Sequence, residues 1–210
     1  MALLDVLPTE DLSLPKFGLG DEGYEQLLAA GVHTIIHNAA QVNWFRRYEQ
    51  LRSSNVAMTL ELLRLSVELG AKFGYVSSIS TLPLTSLEVA INEECDNSWQ
   101  GVNVLKMSGY SQTKWMSEQL CFEACRHGLP VTVFRMPFIV GHSKTGCVNL
   151  QDTPARMIEA VVQLGEAPVS VQLDCVAVNV VARVVVRVSL LPLTCGVSAA
   201  TGEIVEGDSS

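Results

Sequence analysis

Short runs of β-branched and aromatic residues alternate with longer amphipathic stretches along most of this chain, and that alternation limits the fold more than any other feature. Gly31-Val32-His33-Thr34-Ile35-Ile36-His37 reads as a strand, bounded by Gly before and Asn-Ala-Ala after. Residues from about Tyr48 to Leu69 carry Leu51, Val56, Leu60, Leu63 and Val67 at helical spacing, with Gly70 placed to stop the helix. Lys72-Phe73-Gly74-Tyr75-Val76 is the next strand, and an irregular polar stretch follows, roughly Thr81 to Lys106. The spacing then predicts a helix from about Tyr110 to Arg126 and a strand over Leu129 to Arg135. A helix over Pro154 to Leu164 starts from Asp152 or Thr153 as N-cap. Val169 to Val176 reads as a short strand, and Val180 to Val188 as a helix or a buried strand.

Strands that alternate with helices of ten or more residues imply right-handed crossover units and a parallel sheet. The fold class is therefore α/β, a Rossmann-like doubly wound parallel sheet. In such sheets ligands sit at the carboxyl ends of the strands. The residues just after the strands are Asn38-Ala39-Ala40, Ser77-Ser78 and Met136-Pro137-Phe138, three small or polar clusters that together form a constellation.

Composition narrows the function classes. Apolar residues make up 48% and charged residues 17%, which argues for a packed globular core and against disorder. A net charge of −8 with no long basic run argues against a nucleic-acid surface, which needs clustered Lys and Arg. No apolar run approaches the roughly 18 residues of a membrane span. Met1 to Asp5 holds no basic segment of a secretory signal. Cys95, Cys121, Cys125, Cys147, Cys175 and Cys195 form no C-x-x-C pair, four of them lie in apolar segments, and no His stands at ligand spacing beside Cys121 and Cys125. The expectation is reduced core cysteines, no metal site and a cytoplasmic location.

The central chemical feature is Tyr110-Ser111-Gln112-Thr113-Lys114. Tyr and Lys four positions apart share one helix face. An ammonium close to a phenol favours the phenolate, so Tyr110 is expected to have a lowered pKa and to exchange a proton with a substrate oxygen. Taken alone the pair also fits a surface helix with a solvated lysine. Ser77-Ser78 at a strand end, about thirty residues earlier, shifts the balance, because a serine hydroxyl beside the tyrosine can donate to the same oxygen. Ser, Tyr and Lys suit carbonyl reduction or its reverse. None of them supplies a hydride, so a nicotinamide cofactor is required.

These residues, with Asp11-Leu12-Ser13-Leu14-Pro15-Lys16-Phe17-Gly18-Leu19, His37 to Asn43, Leu51 to Val56 and Gly128 to Ser143, form an ordered set over about residues 5 to 190. In that set the chain resembles the extended short-chain dehydrogenase/reductases. Within them it resembles the thioester reductase domains that end nonribosomal peptide and polyketide synthases, relatives of carboxylic acid and fatty acyl-CoA reductases. The resemblance implies Tyr110 as general acid, Lys114 on the cofactor ribose, and Ser78, where the family usually has Thr, polarising the thioester carbonyl. It implies Asp11 and Leu12 at the adenine, Asn38, Ala39, Ala40 and Ser77 along the cofactor, and Pro137, Phe138 and Ile139 under the nicotinamide. Asn55 is expected to be structural or to organise water near the lysine.

The implied cofactor is NADPH, and the implied partner an acyl thioester on a phosphopantetheine carrier protein or on CoA. The reaction so implied is reduction to an aldehyde or alcohol. The family's Gly-rich phosphate turn has no counterpart here, and the sequence begins about where the family's third strand lies, so the expectation is a partial domain over 1–190 without its first βαβ unit, then a divergent or disordered tail over 191–210. Two other readings accompany the reductase: an NAD-retaining nucleotide-sugar epimerase or dehydratase, and a non-catalytic remnant. Bland roles are expected for His37 as a structural histidine, for His142, Arg46 and Arg47 at the surface, and for Trp44, Trp99 and Trp115 as packing or rim residues.

Overall fold

A computed structural model describes residues 5–9, 11–82, 104–168 and 173–191, with the backbone of 195–197 and 204–206. The ordered elements are α1 (Gly20–Ala29), β1 (Thr34–His37), α2 (Tyr48–Arg52), α3 (Met58–Leu69), β2 (Lys72–Ser78), α4 (Gly109–Arg126), β3 (Val131–Met136), β4 (Phe138–Val140), α5 (Thr153–Leu164), β5 (Cys175–Ala177) and α6 (Val178–Leu190). A π-helical turn, Ser53–Ala57, joins α2 to α3, so the stretch from Tyr48 to Leu69 is one continuous helix with a wide turn inside it. Gln50 fixes its start by accepting from Arg47 N at 3.1 Å. Gly70 ends it with φ of 63°, a left-handed geometry that glycine adopts without steric cost.

The central sheet has the order β1-β2-β3, all parallel. In its register His37 stands beside Tyr75, Ser77 beside Arg135 and Ser78 beside Met136, so the three carboxyl ends open on one edge. Alternation along β2 sends Phe73 and Tyr75 to one face and Gly74 and Val76 to the other. On the first face Phe73 and Tyr75, each 1% exposed, pack with Leu63 of α3, Cys121 of α4 and Leu129. Burial of each such ring contributes roughly 1.5–3 kcal/mol. On the second face Val76 and Phe134 pack with Val181 and Val185 of α6. A Cβ on Gly74 would lie 3.1 Å from Ser189 Oγ and 3.3 Å from Phe134 Cε2, so α6 comes down close on the strand there. Helices cover both faces, as a doubly wound parallel sheet requires. The short strands β4 and β5 pair in parallel beyond the end of β3.

The structure refines several sequence expectations. Val180 to Val188 is helix, within α6, and the strand expected over Val169 to Val176 is limited to Cys175–Ala177, with 169–172 outside the described residues. Most of the stretch from Thr81 to Lys106, with Cys95 and Trp99, also lies outside them. Within 191–210, β6 (Cys195–Val197) and β7 (Ile204–Glu206) pair antiparallel. The cysteine expectation needs correcting: Cys121 is buried, but Cys125, Cys147 and Cys175 are exposed free thiols. Cys125 lies on the exposed side of α4, Cys147 in the loop between β4 and α5, and Cys175 at the start of β5, so apolar neighbours in sequence did not carry them inward. Among the described residues no helix is long and apolar enough to cross a membrane.

Candidate active site

The carboxyl edge of the sheet opens into a cleft of about 420 Å³. Its wall brings together Asn38 and Ala40 after β1, Ser77 and Ser78 at the end of β2, Tyr110 and Lys114 on α4, and Pro137, Phe138 and Ile139 after β3. Ala39, Asp11 and Leu12 are not part of that lining. Asp11 is exposed, and its Oδ1 accepts from Ser13 N at 2.8 Å, so its carboxylate closes a local turn.

Tyr110 is in the first turn of α4. Ser108 caps that turn, its Oγ accepting from Ser111 N at 3.1 Å. Gly109 lets the helix start against the loop before α2, because a Cβ there would lie 2.3 Å from Arg46 O. The Tyr110 ring meets Trp44 with centroids 5.3 Å apart. Lys114 follows one turn later, 4% exposed. Its Nζ donates to Val76 O at 2.7 Å and lies 4.7 Å from the Tyr75 ring centroid.

These placements correct the expected electrostatics. The phenol of Tyr110 is pushed up to about 12, first by burial and then by the carboxylate of Asp152. Burial also pulls Lys114 down to about 8, against the opposing field of Glu118. The Lys114 ammonium itself is turned to Val76 O and the Tyr75 face. Tyr110 therefore holds its proton at neutral pH, the state a proton donor needs.

The two serines of β2 have different duties. Ser78 Oγ faces forward and accepts from Ser80 N at 3.1 Å. The Ser77 hydroxyl points back into the protein and donates to Glu118 Oε1. Although Ser77 lines the cleft, its polar group is committed to that inner partner. Ser80 Oγ is buried at the cleft wall and has no hydrogen-bond partner among the described residues.

Asn55, in the π-helical turn, accepts from Gln41 N at 2.8 Å and donates to Gln41 O and to Thr113 Oγ1 at 3.2 and 3.0 Å. It ties the loop after β1 to α4, a structural role. His37 is structural as well: Nε2 meets Thr59 Oγ1 at 3.0 Å, and burial holds the ring down to about 3, neutral at ordinary pH. His142 accepts from Lys144 N at 3.2 Å and Thr145 N at 3.3 Å in a turn. Arg46 and Arg47 are exposed, Trp115 is core, and Trp44 stands at the rim.

Sequence reasoning did not single out Val42 or Asp152 to Pro154, which complete the cleft. Asp152 was read only as a helix cap. Its side chain makes no cap hydrogen bond, and the residue lines the cleft beside Tyr110.

A nicotinamide cofactor fits this lining. Small and amide side chains leave the wall open at Asn38 and Ala40, and Lys114 spends one ammonium proton on Val76 O, with donors left for ribose hydroxyls.

Comparison with known proteins gives a consistent result. Residues 7–185 match the family model for the male sterility protein. The chain is 39% identical over 168 residues to the glycine betaine reductase ATRR of Emericella nidulans, covering 80% of this chain and 13% of that protein. It is 34% identical over 203 residues to the L-2-aminoadipate reductase large subunit of Penicillium chrysogenum, covering 90% of this chain and 14% of that one. Among solved structures, the terminal R domain from the myxalamid PKS-NRPS biosynthetic pathway superposes with a TM-score of 0.77 at 36% identity, over 87% of this chain and 46% of that chain. The chain thus spans about one seventh of these curated relatives' length and just under half of the solved domain.

Proposed function

Because the chain belongs to the male sterility protein family, we propose that it serves an NAD(P)H-dependent oxidoreductase that reduces an acyl thioester and so releases the acyl chain from its carrier. NADPH, rather than NADH, is the cofactor we assign, and a phosphopantetheine-bound acyl group, on a carrier protein or CoA, the substrate. The observation that carries the reading is the meeting of Ser78, Tyr110 and Lys114 on one cleft at the carboxyl edge of a parallel sheet. The curated relatives are reductases by name, and the solved relative is a terminal R domain, which supports reductive release as the general class.

Bound in the cleft, the cofactor supplies the hydride. Ser78 and Tyr110 orient the thioester carbonyl by hydrogen bonds to its oxygen. As the carbonyl carbon takes the hydride, Tyr110 gives its proton to that oxygen, and collapse of the resulting thiohemiacetal yields aldehyde and free thiol. With its pKa raised, Tyr110 carries its proton at neutral pH, so the proton that reduction consumes is in place. Lys114 would hold the cofactor's ribose hydroxyls, and Asn38 lines the approach. Pro137 to Ile139 form the apolar wall that keeps water away.

The test is to mix the full-length protein with NADPH and acyl-S-pantetheine and trap the aldehyde. Tyr110→Phe should reduce turnover roughly 100- to 10,000-fold with the fold intact. Turnover within threefold of the parent would remove Tyr110 from its role.

A further inference from the structure

Behind the cleft, Glu118 follows Tyr110 and Lys114 along α4 at spacings of four, so the three side chains form one stripe down the helix. Glu118 is 0% exposed. Its Oε2 accepts from Arg135 Nε and Nη2 at 3.1 and 2.9 Å, a two-pronged ion pair between α4 and β3. Its Oε1 accepts from the Ser77 hydroxyl and from Thr81 Oγ1, the latter at 2.9 Å. Thr81 Oγ1 is also 2.9 Å from the carbonyl oxygen of Ser78. One buried carboxylate therefore grips both ends of the five-residue turn that presents Ser78 to the cleft.

We propose that Glu118 is the positioning residue of this site: it clamps the Ser77–Thr81 turn that presents Ser78 and stands one helical turn behind Lys114 as its counter-charge. The proposal rests on the roles given above to Ser78 and Lys114. Burying a carboxylate is costly unless it is paired and hydrogen-bonded, and an apolar residue would fill this position at lower cost. Here the carboxylate joins α4 and the end of β2, which carry Tyr110, Lys114 and Ser78, to β3. The groups around Lys114 are Tyr75 on β2, His37 on β1, and Tyr110, Glu118 and Cys121 on α4. Glu118 is the carboxylate whose field opposes the burial of the Lys114 ammonium.

The test uses Glu118→Gln in the full-length protein, which keeps shape and an acceptor but removes the charge. Two readouts are followed: kcat and KM for thioester reduction, and the ionisation midpoint of Lys114 from its Cε shift in lysine-labelled protein by NMR. The midpoint should fall by about one pH unit, and kcat should fall at least tenfold with KM little changed. Glu118→Asp, which restores the charge on a shorter stem, should return the Lys114 midpoint most of the way while kcat stays low, because the turn remains slack. If Glu118→Gln fails to fold, Glu118→Gln with Arg135→Met removes the guanidinium that faced the lost charge and is read the same way. A folded variant with an unmoved Lys114 midpoint and kcat within twofold of the parent overturns the proposal. If the parent itself reduces no thioester, the reductase reading fails instead, and the Lys114 titration alone decides this proposal.

Discussion

Gly109→Ala adds a single methyl group where α4 begins, one residue before Tyr110. The new Cβ would lie 2.3 Å from Arg46 O, 2.6 Å from Arg47 C and 2.6 Å from Tyr48 N. All three neighbours are backbone, so no side chain can rotate to make room. Restoring an ordinary contact of 3.4 Å requires the helix start and the 46–48 loop to part by about 1 Å, a displacement that can cost on the order of 100-fold in rate at a reacting group. Overpacking of this kind costs about 1–3 kcal/mol. The gain in helix propensity from Gly to Ala offsets up to about 1 kcal/mol of that. The net expectation is a destabilisation of about 1–2 kcal/mol, or a Tm lower by roughly 2–8 °C for a domain of this size. Trp44 packs against Tyr110 from the same loop with its ring tilted by 59°, so its fluorescence should report the parting directly. The assay is thermal unfolding by circular dichroism alongside aldehyde production. Unchanged Tm, unchanged Trp44 emission and turnover within threefold of the parent would refute the claim that Gly109 sets the position of Tyr110.

Ser78→Ala should lower kcat roughly 100- to 1,000-fold, and Ser78→Thr should retain most activity, since Thr keeps both the donor and the acceptor for Ser80 N; equal turnover by the two in steady-state kinetics would move the role to another donor. Arg135→Met breaks the two-pronged ion pair to the buried carboxylate of Glu118 and should cost about 3–5 kcal/mol in urea unfolding, whereas a loss under 1 kcal/mol would mean the pair is dispensable. His37 has its folded pKa depressed, so the folded protein binds fewer protons than the unfolded chain below pH 6.5; the stability this gives is complete above 6.5 and is lost as pH falls toward about 3. Denaturant titrations across that window should show a slope that His37→Asn flattens, and an identical slope in the variant would assign the acid sensitivity to other groups.

The strand ends were legible because a parallel sheet forces chemistry to one edge, and Asn38, Ser78 and Phe138 do meet there. The Tyr110 and Lys114 pair was legible from helical spacing. The direction of their pKa shifts was not, because spacing gives proximity but not burial or the orientation of an ammonium. Helix α1 was not read from the sequence: its only large apolar residues are Tyr24, Leu27 and Leu28, and it buries none of them. Strand β4 is three residues long and follows a proline, too short for alternation to register. Glu118 was readable in principle, as the third member of a four-residue repeat, but its partners Arg135, Ser77 and Thr81 come from segments that only the fold brings together. Asp152 has a cap position that explained it too easily, which hid its place in the cleft.

The π-helical turn between α2 and α3 also bears on how this fold can change over time. An α-helix advances about 100° per residue, so adding or removing one residue almost anywhere between Tyr48 and Leu69 would swing every later side chain off its face and pull Leu63 and Leu65 from the core. Ser53–Ala57 is the exception. The extra residue is already accommodated there, as the bond from Met58 N to Ser53 O shows. Losing one residue at that point would close the turn to ordinary winding and leave the packing phase of α3 unchanged. What would disappear is the placement of the buried Asn55, and with it the tie between the loop after β1 and α4. At this one turn, chain length can drift without unfolding the protein, and it can do so only by loosening the wall of the cleft.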